Sequence, residues 1–294
     1  MSGVGTINKS AQIVENAEFA FTAADLDAIV HIMMAETGIS LSGAKGNLIY
    51  SRLAKHLRRL GLRSFAQYCR LVESPEGESE RHEMITALTT NVTRFFREPH
   101  HFEHLREHLL PGLISRAKAG ERIRLWSSAC SSGQEPYSIA LTLLQAMPDA
   151  SRYDIRILAT DIDTNVLATG AAGIYEDSLL EPVPAALRKA WFTPAGTGQM
   201  QANETLRSLV SFKKLNLIGK WPMRAKFQVI FCRNVVIYFE LPTQEQIWSH
   251  MMPLLDDNGA LYIGHSERIS GPAEKVLRSD GITIYRKTGK GGAA

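Results

Sequence analysis

Two carboxylates stand out because of where the apolar pattern puts them. Asp161 closes the run Ile157-Leu158-Ala159-Thr160-Asp161, and Glu135 follows Ser131-Ser132-Gly133-Gln134 in what reads as the first turn of a helix. Both come directly after strand-like segments, and in open α/β sheets ligands bind at the carboxyl ends of the strands. Residues 127–136 are mostly small, which lets a ligand approach the backbone, but the three glycines of the dinucleotide fingerprint are missing. A carboxylate in the first helical turn repels a pyrophosphate, which needs the positive end of the helix. The same carboxylate suits the cationic amino group of S-adenosylmethionine, while Asp161 is placed to accept hydrogen bonds from both ribose hydroxyls. Plainer readings exist for both. Glu135 could close a capping box with Ser132, and Asp161 could cap a helix, although Asp163 is better placed for that.

One competing motif carries metal chemistry in principle. His104-Leu105-Arg106-Glu107-His108 fits the inverted metalloprotease pattern, with two histidines one helical turn apart. It sits ahead of the sheet, no distal ligand is identifiable, and Phe102, Leu105 and Leu109 are spaced for packing on the same face. The expectation is no metal. No Ser-His-Asp arrangement is visible either.

The elements that must position these residues fall into two regions. Residues 19–90 read as entirely helical. Thr22 and Asp25 form a capping box, Gly38 ends the first helix, and a second runs from about 46 to Gly61. Ile49, Leu53, Leu57 and Leu60 share one face of that second helix, and Lys45, Arg52, Lys55 and Arg59, with Arg63 nearby, line another. Shorter helices are expected near 64–73 and 78–89. After residue 120, strands and helices alternate: strands near 122–127, 154–161, 226–232, 260–265 and 281–286, helices near 132–147, from 164, and 243–255. That rhythm implies a mostly parallel sheet covered on both faces. It breaks between 176 and 217, where Pro182, Pro184, Pro194 and Gly196-Thr197-Gly198 suggest an inserted β-subdomain. Residues 1–18 read as a loose tail.

The bulk numbers exclude several classes. The chain has 294 residues, a formal net charge of +3 and three scattered cysteines with no CxxC spacing. A disulfide framework or zinc knuckle is not expected, nor a secreted protein or a membrane span. The small charge excess and the lack of an aromatic-plus-basic platform argue against nucleic acid.

Five segments resemble the chemotaxis receptor methyltransferases of the CheR type over roughly residues 20–287. They are Thr89-Thr90-Asn91-Val92-Thr93-Arg94-Phe95-Phe96-Arg97-Glu98, the loop ending Gly133-Gln134-Glu135-Pro136-Tyr137-Ser138-Ile139-Ala140, Ala159-Thr160-Asp161-Ile162-Asp163, Phe231-Cys232-Arg233-Asn234-Val235-Val236-Ile237-Tyr238-Phe239, and Gly264-His265-Ser266-Glu267. The resemblance implies an all-α N-terminal domain (19–90), a Rossmann-like S-adenosylmethionine-dependent methyltransferase domain (91–294) and a small β-subdomain inserted in it (176–217).

It further implies that Asn91, Thr93, Arg97, Glu135, Asp161, Asn216, Leu217, Arg233 and Asn234 contact the cofactor, with Arg97 and Tyr238 beside the reacting sulfonium. The implied reaction is methyl-ester formation on glutamates of chemoreceptor cytoplasmic helices, yielding S-adenosylhomocysteine in chemotaxis adaptation. Lys45, Arg52, Lys55, Arg59 and Arg63 would face that acidic helical substrate. A receptor C-terminal tail is a candidate ligand of the insert, although Gln199-Met200-Gln201-Ala202 lacks the aromatic expected there. The scattered cysteines, with no signal-like or bilayer-length apolar stretch, point to the cytoplasm.

Overall fold

The computed structural model describes residues 13–14, 17–41, 46–89 and 92–288. Most of the expected tail at 1–18 therefore lies outside the described residues, as do Lys45 and Asn91. The chain divides into two compact units. One comprises residues up to 90 together with Tyr238–Glu240, and the other comprises the remainder.

The N-terminal unit holds helices α1 (Ala23–Thr37), α2 (Gly46–Leu60), α3 (Phe65–Glu73) and α4 (Glu78–Leu88). Thr22 and Asp25 make the reciprocal capping box at the start of α1, and Gly38 ends the helix in the left-handed conformation with φ 71°. Apolar residues at helical spacing, Ile29 and Met33 on α1 and Ile49, Leu53 and Leu57 on α2, are buried. Inside this core, Glu80 accepts from the Tyr68 hydroxyl at 3.0 Å and lies 2.7 Å from His56 Nδ1. Ile39 bridges Phe239, and the Ser40 N–H donates to the Tyr238 carbonyl at 2.9 Å.

The larger unit is built on a seven-stranded sheet of order β6-β2-β1-β7-β8-β10-β9. In chain order the strands are β1 (Ile123–Ser128), β2 (Ile155–Asp161), β3 (Ile174–Glu176), β4 (Phe192–Gly196), β5 (Gln199–Ala202), β6 (Val210–Lys214), β7 (Phe227–Cys232), β8 (Leu255–Ile263), β9 (Leu277–Gly281) and β10 (Ile284–Lys287). Pairings from β6 across to β8 are parallel, and β10 and β9 add antiparallel edges. β7 is buried along its whole length, as its unbroken Phe-Gln-Val-Ile-Phe-Cys run requires for a strand covered on both faces. Helices α5 (His100–His104), α6 (Leu110–Lys118), α7 (Gln134–Ala146), α8 (Thr164–Ala172), α9 (Ala185–Trp191), α10 (Glu204–Ser208) and α11 (Leu241–Met251) complete this unit. The chain moves outward from β1 through β2 to β6, then returns to place β7 on the other side of β1. The topological switch point therefore lies between β1 and β7.

Some boundaries differ from the sequence expectation for physical reasons. The turn Asp257-Asn258-Gly259 was expected to precede a strand. Instead it lies inside β8, where the pairing with β7 shifts register between Phe227 and Val229. The single strand expected at 281–286 is a hairpin, β9–β10, turning through Ile282 and a left-handed Thr283. The expected insert divides: β3, β5 and β4 form a separate antiparallel sheet, but β6 pairs parallel with β2 in the main one. Between α5 and α6 the helix widens into a π turn, Leu105–Leu109.

Candidate cofactor site

The carboxyl end of β1 leads into a loop whose backbone is unusual at three positions. Ala129 and Ser131 have φ of 54° and 49° despite carrying side chains, and Gly133 has φ 95°. At Gly133 a Cβ would also lie 2.8 Å from the Tyr175 hydroxyl and 3.0 Å from the Gly170 backbone, so only glycine fits. The loop is fastened to β2: the Cys130 N–H donates to the Thr160 carbonyl at 2.9 Å and the Ser131 N–H to Asp161 Oδ2 at 2.8 Å. The Asp163 N–H reaches Asp161 Oδ1 at 3.0 Å, and the Leu215 N–H donates to the Asp161 carbonyl at 2.9 Å, which places Asn216 beside it. Burial pushes the Asp161 carboxyl above its ordinary range, opposed by the N–H donors of Asp163 and Ser131. The helix-cap alternative goes to Asp163, whose Oδ1 accepts from Asn165 and Val166 at the start of α8.

Glu135 is not a capping-box partner of Ser132. The cap position of α7 is Gly133 with no side-chain cap, and Ser132 Oγ instead donates to Gln134 Oε1 at 2.9 Å. Glu135 Oε1 accepts from Ser127 Oγ at 2.7 Å, and Oε2 accepts from Arg233 Nη1 at 3.1 Å. Burial raises its pKa, with Arg233 and Ser127 pulling the other way. Arg233, at the end of β7, is buried. It also donates to the Arg97 carbonyl and lies 3.4 Å from Glu98.

The loop after β7 is held by an acid that motif reading gave no role. Glu267 accepts backbone N–H groups from Asn234 (2.9 Å), Val235 (2.8 Å), Val236 (2.9 Å) and Gly264 (2.6 Å). Asn234 is left-handed at φ 59°, and a Cβ at Gly264 would meet its side chain at 2.5 Å. The same backbone habit recurs before α5, where Phe96 and Glu98 have φ of 50° and 57°. Of the seven non-glycine residues with positive φ among those described, five therefore lie in these three segments.

Sulfonium cofactors carry an ammonium group and a ribose diol, and two carboxylates stand here: Glu135, half-buried at the head of α7, and Asp161, buried at the end of β2 and hydrogen-bonded to the β1 loop. Residues 91–285 match the model of the CheR methyltransferase, SAM binding domain, and residues 24–89 match that of its all-alpha domain.

The chain belongs to the CheR methyltransferase family.

Among curated relatives, a probable chemotaxis protein methyltransferase of Rhizobium etli is 54% identical over 263 residues, covering 88% of this chain and 98% of that one. Chemotaxis protein methyltransferase 2 of Pseudomonas aeruginosa is 41% identical, covering 92% and 95%. The chemotaxis protein methyltransferase of Escherichia coli is 38% identical, covering 90% and 91%. The chain is thus an S-adenosylmethionine-dependent methyltransferase of the chemotaxis type, with an all-α N-terminal region ahead of a Rossmann-like domain.

Arg97 Nη1 donates to the Val92 carbonyl at 3.0 Å, and Thr93 is half-buried. Asn216 Oδ1 accepts from the Ile218 N–H at 3.1 Å, its carbonyl accepts from Trp221 Nε1 at 3.2 Å, and Leu217 is buried. Tyr238 ends the short 3-10 turn Val236–Tyr238. On α2, Arg52 Nη1 donates to the carbonyls of Ala87, Leu88 and Thr89, closing the end of α4, and Arg59 pairs with Glu80. Lys55 and Arg63 are exposed. His104 of the metalloprotease-like motif is engaged by the Tyr262 hydroxyl at 2.9 Å and by Asp280 at 3.3 Å. Glu98 and Glu267 were missed because most of their partners lie far off in sequence, in the segments that follow β7 and β8; their sequence signal was membership of the family-like segments. No described helix is long and apolar enough to cross a membrane.

Proposed function

We propose that this methyltransferase forms methyl esters on glutamate side chains of chemoreceptor cytoplasmic helices, converting S-adenosylmethionine to S-adenosylhomocysteine during chemotaxis adaptation. The observation that carries the reading is the half-buried Glu135, held by Ser127 and Arg233 at the head of α7, with Asp161 fastened to the loop before it. In this reading Glu135 takes the cofactor's ammonium, Asp161 its ribose hydroxyls, and Asn216 and Leu217 line the adenine. Asn91, Thr93, Arg97, Arg233 and Asn234 complete the pocket.

A glutamate is an anion near neutral pH, with an unperturbed pKa of about 4.3, so its oxygen can attack the sulfonium methyl without a general base. The new bond joins that oxygen to the methyl carbon, the carbon–sulfur bond breaks, and its electron pair stays on sulfur as a neutral thioether. What the protein must supply is alignment and a dry place for two opposite charges to cancel. Arg97 and Tyr238 are assigned to flank the transferred methyl. For the substrate, the exposed Lys55 and Arg63, with Lys45, are assigned to steer an acidic helix. Arg52 and Arg59 share that face but are also tied to α4 and Glu80. The three-stranded insert is assigned to a receptor tail, and the compartment is the cytoplasm.

The test is to incubate the protein with methyl-labelled S-adenosylmethionine and a receptor cytoplasmic fragment, and to measure bound label that mild alkali releases as methanol. Alkali-labile label that disappears in Asp161→Asn is expected. Alkali-stable label, or none with any receptor despite tight cofactor binding, overturns the glutamate assignment.

A further inference from the structure

One buried cation at this site faces two carboxylates. Arg233 Nη1 lies 3.1 Å from Glu135 and Nη2 lies 3.4 Å from Glu98, and the Arg233 side chain is only 1% exposed. Among the described residues these are its ion-pair partners. A buried guanidinium must be neutralised, so without Glu98 its remaining protein anion would be Glu135. A Glu135 consumed in that way has less to offer a ligand's ammonium group.

Glu98 is built to do the neutralising. It follows Arg97 in a left-handed backbone conformation, φ 57°, in a segment pinned to α7 by the Phe96 N–H donating to Ser138 Oγ at 2.9 Å. Its other oxygen meets His265 Nδ1 at 3.2 Å. Although burial alone would raise its pKa, Arg233 and His265 bring Glu98 below the ordinary carboxylate range, whereas Glu135 stays above it. The third group facing Glu98 is His101, with Nδ1 at 3.7 Å from Oε2. Burial and the nearby Arg233 push that imidazole down to about 3, so it adds no competing charge. Glu98, His100 and His101 also come close enough together to resemble a metal cluster. A cation there would sit against the Arg233 guanidinium, so charge repulsion argues for the ion-pair role instead.

We propose that Glu98 is a positioning residue for the cofactor, which takes the charge of Arg233 and so keeps the Glu135 carboxylate available for the ligand's ammonium. This rests on the reading above that Glu135 receives that ammonium. Glu98 touches no reacting atom; it acts through Arg233.

The experiment compares two ligands on the full chain by titration calorimetry: S-adenosylhomocysteine, which has the amino-acid end, and 5′-methylthioadenosine, which keeps the nucleoside and lacks it. Glu98→Gln is expected to weaken S-adenosylhomocysteine about ten-fold, a change of about 1.4 kcal/mol, and to leave methylthioadenosine within roughly two-fold. Glu98→Asp, which retains the charge, should recover part of that loss. Equal weakening of both ligands marks a merely structural role and overturns the proposal, as does no change in either. Glu135→Gln separates the underlying reading. If it leaves the wild-type preference for S-adenosylhomocysteine intact, the assignment of the ammonium to Glu135 fails and the inference falls with it. If it abolishes that preference while Glu98→Gln does not, only the role of Glu98 fails.

Discussion

The two ends of the seven-stranded sheet carry the same residue types and use them in opposite ways. At the amino end, Asp154 pairs with Arg124 at 2.6 Å and Arg122 at 3.4 Å while remaining 45% exposed, and Asp257 pairs with Lys226 at 3.6 Å. At the carboxyl end, Asp161, Arg233 and Glu267 are buried, and their partners are largely backbone N–H and carbonyl groups. A cavity of about 220 Å³ lies at the amino end, lined by His108, Gln228, Asp256, Asn258 and Arg286 among others. Its charges are already matched within the protein: Asp256 with Arg116 at 3.5 Å and Arg286 with Asp280 at 2.7 Å. A cavity is therefore a weaker guide to chemistry here than charged groups withdrawn from water. Exposed pairs contribute little because water competes for them, whereas a buried carboxylate fixes whatever donates to it.

The largest expected effect tests that contrast directly. Glu267→Ala leaves four backbone donors without their acceptor, so urea unfolding should show a loss of at least ~3 kcal/mol, with cofactor binding abolished. A loss below ~1 kcal/mol would erase the difference between the two ends. Next comes Asp161→Asn, which turns an amide donor toward the N–H of Ser131 or Asp163. Calorimetry should show S-adenosylhomocysteine affinity falling roughly 30-fold or more, equivalent to about 2 kcal/mol.

A pH dependence follows with its sign fixed by Glu135. Its folded pKa is raised, so the cofactor-free protein holds that proton above the usual glutamate value of about 4.3. The associated stability is present at low pH and is lost as pH rises through the raised value. Ligand ammonium needs the ionised form, so S-adenosylhomocysteine binding should weaken as pH falls through the same window. Proton release on binding, read by calorimetry in two buffers at a pH just above the ordinary glutamate value, checks this. The smallest effect belongs to the amino end: Asp154→Ala should change stability by no more than ~1 kcal/mol and cofactor affinity not at all.

The sequence was most legible where the physics is local. The Thr22–Asp25 box, the left-handed Gly38 and the Asp163 cap each involve residues within three or four positions of one another, so spacing alone reveals them. The alternating strands and helices were readable for the same reason. Motif logic reached Glu135 but left its cap reading open, because a capping box and a ligand acid share one spacing. Gly133, not Ser132, stands at the cap, and Glu135 is held instead by Arg233, 98 positions away. Glu267 gathers N–H groups from Asn234, Val235 and Val236 only because β7 and β8 lie side by side. Nothing in the composition of Gly264-His265-Ser266-Glu267 announces that pairing. Arg52 reads as one of several surface cations, and only the packing of α2 against α4 reveals three carbonyl acceptors for it. The π turn at Leu105–Leu109 leaves the apolar pattern nearly unchanged, so periodicity cannot report it.

The left-handed residues at the ligand end have a practical consequence for anyone wishing to toughen the protein. Glycine at Ala129 or Ser131 would accept φ values of 54° and 49° without the steric cost a Cβ incurs, a relief of about 1 kcal/mol or more per site. Such changes would top a list of stabilising substitutions drawn up from backbone geometry alone. They would also free the loop that holds Asp161 and Glu135 in register, so hardiness gained there would be taken from turnover. Asn258, equally left-handed at φ 65° but at the far end of the sheet, offers a smaller relief, because asparagine tolerates that conformation, but offers it without that trade.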